Sequence, residues 1–161
     1  GLSMGGVLAS IAAANLTVDG LVTLATPTSI PEKDWRLNFI RPISLIIKNI
    51  KKGKPDWKNP EAEKDHVHYP LQPTRSIAEL KDLFVLMDSS LPRIKVPSLH
   101  IHSTADKSVP FSHLDQIMLL NQTGDKASFI VHNSAHVVTR EPDRQAIFER
   151  IYEFILDHTK R

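Results

Sequence analysis

The sequence lacks cysteine, and it has little of several other features that mark particular classes of protein. The absence of cysteine excludes disulfides and thiolate metal sites, and it agrees with a reducing cytoplasm, where we expect the protein to reside. The net charge is only +2, and basic and acidic residues are interspersed, so we expect neither nucleic acid nor an anionic membrane as a partner. No run approaches the roughly 20 apolar residues that span a bilayer, so we expect no stable membrane insertion.

What is present is the pattern of a globular α/β protein. A chain of 161 residues is long enough for one domain with its own core. Apolar runs and helical periodicity alternate along it, and this order favours a parallel sheet with crossover helices. The predicted strands are 21–27, 98–103 and 127–133, and the predicted helices around them are 6–16, 112–120 and a last helix that begins near Glu141 with Pro142 in its first turn. Within the helix at 112–120, Ser112 is the expected N-cap and Asp115 its capping-box acid.

The middle of the chain, residues 29–93, differs from its flanks. It holds seven of the eleven prolines and the basic run "KNIKKGK", which predict irregular helices and loops rather than sheet. Two segments in it, "ISLIIKNI" and "SIAELKDLFVLM", have the spacing of amphipathic helices. Their apolar side chains either line a pocket or pack this section onto the rest, and the sequence favours neither. These are Ile43, Ile46, Ile47, Leu83, Phe84 and Met87.

The first six residues, "GLSMGG", match the pattern G-x-S-x-G. A serine at a sharp strand-to-helix turn has strained backbone, and we expect small residues two positions away on either side, Gly1 and Gly5, to permit the close approach. The Ser3 hydroxyl would then stand at a helix N-terminus, where N–H groups favour developing negative charge. The pattern alone is weak, because it also describes a small-residue helix start.

A base and an acid follow at the places that a serine nucleophile requires. The hydroxyl needs an imidazole to take its proton, and the imidazole needs a carboxylate to fix its tautomer. Asp106 follows the predicted strand "SLHIHS", and His136 follows "ASFIVHN". The order Ser3, Asp106, His136 is the order expected of this class. Other acids and histidines have simpler explanations in caps, turns or strand packing: Asp115, Asp125, Asp143, His100, His102 and His132. His66 and His68 have no third partner at a metal-binding spacing, so we expect no metal.

Four motifs together carry a family resemblance: "GLSMGG", "LVTLATP", "HSTADKSVP" and "NSAHVVTREPDR". With them the chain resembles the C-terminal part of an α/β-hydrolase-fold carboxylesterase, of the bacterial type related to monoacylglycerol lipases. The resemblance implies that Ser3 is the nucleophile, Asp106 the acid and His136 the base, and that the backbone N–H of Met4 contributes to the oxyanion hole. It also implies a core formed by residues 1–28 and 94–161, and a helical cap formed by residues 29–93.

The sequence departs from the family pattern in two small ways and one large one. Ser103 and Ala135 stand where members often have glycine, and both replacements are small. The strands that precede the nucleophile in this fold, with the loop that supplies a second oxyanion donor, have no counterpart in the sequence. Since the first residue is Gly1, we expect the N-terminal half of the same fold to be the missing partner of this chain.

The expected function is hydrolysis of carboxylic esters through an acyl-enzyme, with no cofactor. The substrates implied are small-molecule esters with short to medium acyl chains, or monoacylglycerol. A thioesterase, acyltransferase or carbon–carbon hydrolase would use the same three residues, so the sequence leaves these open. A non-catalytic binding module of the same fold is the alternative of a different class.

Overall fold

A computed structural model describes residues 1–30, 37, 39–53 and 56–159 of the chain. Of the predicted cap, residues 31–36, 38, 54 and 55 lie outside the described part. In the described residues the chain forms α-helices and β-strands in the following order: α1 (Met4–Asn15), β1 (Leu21–Leu24), α2 (Ile40–Ile46), β2 (Asn49–Lys51), α3 (Pro60–Lys64), β3 (Leu71–Pro73), α4 (Thr74–Ser90), β4 (Ser98–Ser103), α5 (Ser112–Leu120), β5 (Lys126–Val131) and α6 (Arg144–Thr159).

The central sheet contains β1, β4 and β5 in that spatial order. Both pairings are parallel, with Leu21 opposite Ser98 and Ser98 opposite Lys126, so the predicted parallel sheet is confirmed. Every residue of β4 is buried, as expected of a central strand covered on both faces. Because parallel strands end at the same edge, the loops that follow β4 and β5 emerge side by side.

Two apolar clusters hold helices against this sheet. The first joins Val7 of α1, Phe84 and Met87 of α4, and Ile117 of α5 to Leu21 of β1. The second joins the helix α6 to the three strands; its buried members are Leu24, Ala25, Leu99, Ile101, Val131, Val138, Ile147 and Phe154. Burial at roughly 25 cal/mol per Å² of apolar surface makes these clusters the main favourable contribution to folding.

Residues 48–74 contain a small antiparallel sheet, and here the prediction of irregular helices and loops was wrong. Strands β2 and β3 pair with Asn49 opposite Pro73 and Lys51 opposite Leu71. Two more backbone bonds extend the ladder, from Lys52 N to Pro70 O at 3.0 Å and from Thr74 N to Lys48 O at 2.9 Å. Strands of three residues are too short to show an alternating pattern, so backbone pairing decides their structure.

Several predicted boundaries were also wrong. Helix α2 ends at Ile46, so Ile50 of the predicted helical run lies in β2. Helix α5 has Phe111 rather than Ser112 at its N-cap and no side-chain capping bond, because its first turn already closes from Leu114 N to Phe111 O. Helix α6 begins at Arg144, since Val138–Arg140 form a separate 3-10 turn before it.

Helix α1 buries only part of its apolar surface in the described structure. Gly6, Val7, Ser10 and Ala13 are buried, whereas the Met4, Leu8 and Leu16 side chains are 51, 47 and 66% exposed. Within the described residues, no helix combines the length and the apolar character needed to cross a membrane.

Candidate active site

Ser3 lies at a strained turn between an extended segment and α1. Its φ of 54° and ψ of −124° are unusual for a residue with a side chain. The turn is held to the sheet because Leu2 bridges Leu24 in parallel and Ser3 N donates to Leu24 O at 2.8 Å. Serine at an N-cap ordinarily bonds the first helical turn, but the Ser3 hydroxyl makes no such bond. The hydroxyl is therefore left to another partner.

Of the two glycines predicted to be needed around Ser3, Gly1 is confirmed and Gly5 is not, and Gly6 is a further one. A Cβ on Gly1 would lie 2.1 Å from Gly5 O, and one on Gly6 would lie 1.9 Å from Thr26 Oγ1. A Cβ on Gly5 would meet no described atom within 4 Å, so the expected steric need at Gly5 was wrong. Gly6 is required because the first turn of α1 packs directly on the loop that follows β1.

Asp106 lies in the loop after β4, and its carboxylate is fully engaged. Oδ1 accepts two backbone bonds, from Ser108 N at 2.8 Å and Val109 N at 2.9 Å. Oδ2 lies 2.9 Å from His136 Nδ1. The residue is only 6% exposed. The two backbone bonds fix the carboxylate plane, so that Oδ2 faces the imidazole.

His136 joins the acid to the serine. Its Nδ1 bonds Asp106 Oδ2, and its Nε2 lies 2.8 Å from Ser3 Oγ. Because an ionised carboxylate only accepts, the proton belongs on Nδ1 and Nε2 is free to accept from the Ser3 hydroxyl. The His136 side chain is 20% exposed, so a solute can reach it. The three side chains nominated from the sequence thus form one continuous hydrogen-bond chain.

Met4, the nominated oxyanion donor, is the first residue of α1. The first N–H groups of a helix have no intrahelical acceptor, and those of Gly5 and Gly6 bond Leu2 O and Ser3 O, each at 2.8 Å. The Met4 N–H stands next to the Ser3 hydroxyl in sequence, at the positive end of the helix dipole. This position suits a donor to negative charge that develops beside Ser3.

His102 lies near Asp106, but farther from its carboxylate than His136 does. Its Nε2 is 3.0 Å from Val109 O and 3.8 Å from Asp106 Oδ2. Burial lowers the pKa of His102, against the opposing effects of Val109 O and Asp106. A neutral His102 donates to the Val109 carbonyl, which holds the loop whose N–H group bonds Asp106.

The loops that carry the acid and the base are tied together by residues that sequence reasoning missed. Ser103 Oγ donates to Ser134 O and accepts from Ala105 N at 3.1 Å, so the serine at this family glycine position links the two loops. Asp143 accepts from Asn133 N at 2.8 Å and from Ser134 Oγ at 2.9 Å. Asp143 therefore orders the histidine loop rather than the first turn of α6, where the sequence had placed it.

The other nominated acids and histidines lie in separate places. Asp125 pairs with His158, whose Nε2 is 3.1 Å from Asp125 Oδ2. His132 bonds Thr104 at 3.0 Å. His100 is buried in β4 between Thr23 and Asn121. Asp115 is in the first turn of α5. In the part of the chain that the structure describes, no three His, Cys, Asp or Glu side chains are grouped as metal ligands.

A cavity of about 650 Å³ opens beside His136. Its walls come from the loops of the acid and the base and from the segment around β2 and β3. The side chains with polar or ionisable groups along it are Lys52, Asp56, His66, His68, Gln72 and Ser108. None of the six apolar residues considered for a pocket lines this cavity. Leu83, Phe84 and Met87 pack in the cluster with α1, Ile46 and Ile47 are exposed, and Ile43 is half-buried in α2.

We compared the sequence and the structure of this chain with those of known proteins. The sequence matches no protein-family model. It is 23% identical over 156 residues to a carboxylesterase of Bacillus subtilis, and the match covers 96% of this chain and 61% of that protein. Among solved structures it is similar to one of the metagenome-derived lipolytic enzymes LipS and LipT, with a TM-score of 0.87, 27% identity, and coverage of 98% of this chain and 64% of the other.

A monoacylglycerol lipase of Paleococcus ferrophilus is also similar, with a TM-score of 0.85, 19% identity, and coverage of 99% of this chain and 67% of that one. The chain has the α/β-hydrolase fold and is similar to carboxylesterases and lipases of that fold. It spans less than two thirds of the length of the Bacillus carboxylesterase and of the metagenome-derived enzyme.

Proposed function

We propose that the protein carrying this chain is a serine hydrolase of carboxylic esters, with Ser3 as nucleophile, His136 as general base and Asp106 as the acid that orients the imidazole. The observation that carries the proposal is the bond chain from Ser3 Oγ through His136 to Asp106 Oδ2, at 2.8 and 2.9 Å. The strained backbone of Ser3 and the lack of a capping bond support it.

In this reaction His136 Nε2 takes the Ser3 proton while Oγ bonds the ester carbonyl carbon. The carbonyl oxygen becomes negative, and the Met4 N–H at the start of α1 is placed to stabilise it. His136 then returns the proton to the alcohol oxygen as the carbon–oxygen bond breaks, which leaves an acyl-enzyme. Water, activated by the same imidazole, releases the acid and restores Ser3.

Monoacylglycerol is the substrate class that the cavity beside His136 favours. The leaving alcohol must sit next to Nε2, and this cavity carries several groups able to bond hydroxyls. Asp56 Oδ2 is buried and has no hydrogen-bond partner among the described residues, although Lys107 Nζ lies 3.8 Å from Asp56 Oδ1. A glycerol hydroxyl would supply the missing donor. In this proposal the described part of residues 29–93 serves as a cap that shapes the alcohol side.

Covalent labelling tests the nucleophile. A fluorophosphonate probe reacts with a serine that an imidazole activates, so we expect the protein to be labelled and Ser3→Ala to lose the label completely. Ser112→Ala is the matched control, because Ser112 also begins a helix, α5, but is exposed. Labelling that persists in Ser3→Ala contradicts the proposal, and a folded protein that takes no label favours the binding module instead.

Substrate profiling tests the alcohol side. We expect Asp56→Ala to lower kcat/KM for monoacylglycerol by roughly 10-fold or more, the value of a hydrogen bond to a charged group, and to leave the p-nitrophenyl ester of the same acyl chain nearly unchanged. Equal loss on both substrates contradicts a role in binding the alcohol. Rates on thioesters, measured beside p-nitrophenyl esters of graded length, separate an esterase from a thioesterase.

A further inference from the structure

Glu141 carries a carboxyl group that is buried in the structure. Its residue is 0% exposed, and no basic side chain pairs with it among the described residues. Both of its oxygens face the backbone N–H of Lys58, at 3.3 Å from Oε1 and 3.1 Å from Oε2. Burying an ion costs free energy unless hydrogen bonds replace its water, so the position of Lys58 is tied to that of Glu141.

The backbone on either side of this contact is joined by further bonds. Asn59 Nδ2 donates to Arg140 O at 2.8 Å, while Asn59 Oδ1 caps the first turn of α3. The Arg140 guanidinium bonds Asp65 Oδ1 at 2.5 Å and lies 6.0 Å from the centre of the Trp57 ring. Residues 57–65 are therefore held on residues 140–141 by one buried carboxylate, two side-chain hydrogen bonds and a cation–π contact.

These contacts lead to the cavity beside His136 on one side. Trp57 packs edge-on against His66, with ring centres 4.9 Å apart, and His66 stacks on His68 at 5.6 Å. Both histidines line the cavity together with His136. The position of residues 57–59 thus determines where this wall of the cavity stands.

On the other side, Glu141 acts on the loop that holds the base. The backbone N–H of Ala135, the residue immediately before His136, favours the charged form of the Glu141 carboxylate, as do those of Lys58 and Asn59. Ala135 is fully buried. Glu141 bonds the backbone of the cavity wall at Lys58. Asp143, two residues further on, accepts bonds from Asn133 N and Ser134 Oγ of the histidine loop.

We propose that Glu141 is a positioning residue for the proposed ester hydrolysis, which keeps the cavity wall at residues 57–59 and the loop of His136 in one fixed relation. The inference rests on the proposed function, because it assigns Glu141 an effect on a reaction that Ser3 and His136 carry out. A displacement of about 1 Å at reacting groups lowers rates by roughly 100-fold. A buried carboxylate that bonds backbone between two segments prevents such a displacement.

The direction of the pKa shift of Glu141 indicates that its charge has a role other than stabilising the fold. Burial raises the pKa of Glu141, the negative charge of Asp56 acts in the same direction, and the three backbone N–H groups oppose it only in part. A carboxyl with a pKa raised by folding contributes stability below its ordinary pKa and loses that contribution as pH rises through the raised value. Above that raised pKa, the charged Glu141 costs free energy that an uncharged side chain would not.

The test compares Glu141→Gln with Glu149→Gln in the protein that carries this chain. Glu149 is exposed on α6, so it controls for the loss of one negative charge. For Glu141→Gln we expect kcat on p-nitrophenyl butyrate and the fluorophosphonate labelling rate to fall together by roughly 10- to 100-fold. Amide hydrogen exchange at Lys58, Asn59 and Ala135 should accelerate. Glu149→Gln should change none of these.

Rates are expressed per folded molecule, with thermal unfolding measured beside them. A lower Tm with unchanged kcat and labelling rate would mean that Glu141 is only structural, and would overturn the proposal. If Glu141→Gln does not fold, Asn59→Ala is tested in its place, because this substitution removes the bond from Asn59 Nδ2 to Arg140 O. A several-fold loss of kcat in Asn59→Ala supports the proposal, and an unchanged kcat overturns it. Ser3→Ala in the same series separates the two claims, since its labelling reports on the nucleophile alone.

Discussion

At the scale of single residues, the Asp106 carboxylate divides its two oxygens between two tasks. Oδ1 accepts from the backbone N–H groups of Ser108 and Val109, and Oδ2 faces His136 Nδ1. The first pair holds the carboxylate in place, and the second contact selects the tautomer in which Nε2 accepts from Ser3. A substitution that preserves shape but not charge separates these tasks.

Asp106→Asn is expected to lower kcat for ester hydrolysis by about 10⁴-fold with little change in fold. The amide oxygen can still accept the two backbone bonds, but an amide beside Nδ1 stabilises the wrong tautomer and cannot stabilise the imidazolium. Asp115→Asn, in the exposed first turn of α5, is the matched control and should retain activity. Steady-state kinetics on a p-nitrophenyl ester measure both, and comparable kcat values for the two variants would remove Asp106 from the proposed triad.

Order along the chain was enough to predict which three side chains the structure brings together. Asp106 and His136 each follow a predicted strand, and Ser3 precedes a predicted helix. The three side chains lie in hydrogen-bond contact, and their catalytic role stays a prediction. No local pattern marks Glu141, because Lys58, whose backbone N–H donates to its carboxylate, lies 83 residues away in the chain. Such contacts depend on tertiary packing and leave no local pattern.

At the scale of elements, the long and buried helices and strands were predicted correctly, and the short, exposed strands were not. Strand β4 and helix α4 are long enough to show their period, and both lie where the apolar pattern predicts. Strands β2 and β3 are three residues each and exposed over most of their length, so nothing in their composition distinguishes them from a loop. The start of α6 was displaced because Glu141 turns inward, which the helix-start pattern around Pro142 does not reveal.

Strand β4 carries an internal histidine that makes the stability of the sheet depend on pH. Nδ1 of His100 lies 2.7 Å from Thr23 Oγ1 of β1, and Nε2 lies 3.1 Å from Asn121 Nδ2. Burial, assisted by the positive charge of Lys126, lowers the pKa of His100 to about 4. Since Asn121 donates to Nε2, a proton added there would face another donor.

Because folding lowers the pKa of His100, the free energy of unfolding decreases as the pH falls. The stabilising contribution of neutral His100 is complete above the ordinary histidine pKa of about 6.5 and is lost as pH falls from there towards about 4, by roughly 3 kcal/mol in total. His100→Gln should remove that part of the pH dependence of the free energy of unfolding in urea. His132→Gln, at an exposed histidine, should preserve it. Identical pH profiles for wild type and His100→Gln would contradict this assignment.

At the scale of the whole molecule, the described part of the chain leaves apolar surface on one side of α1 uncovered. The Met4, Leu8 and Leu16 side chains are about half exposed or more. Beside them β1 is an edge strand of the three-stranded sheet, bridged on its free side at Leu24 by Leu2. Apolar patches next to an unpaired strand edge promote association between chains.

We therefore expect residues 1–161, produced as an isolated polypeptide, to self-associate and to hydrolyse esters weakly. The exposed side of α1 drives the association. Among the described residues, Met4 N–H is the donor that we place at the oxyanion, and a site that lacks a second donor turns over roughly 10²- to 10³-fold more slowly. Analytical ultracentrifugation, with esterase assays on the same sample, measures both. Leu8→Glu combined with Leu16→Glu places charge on the exposed side without altering the buried one, so it should shift the sample towards monomer while turnover stays low. A monomeric 1–161 with the turnover of an ordinary esterase would show that α1 and β1 need no covering, and that Met4 suffices for the oxyanion.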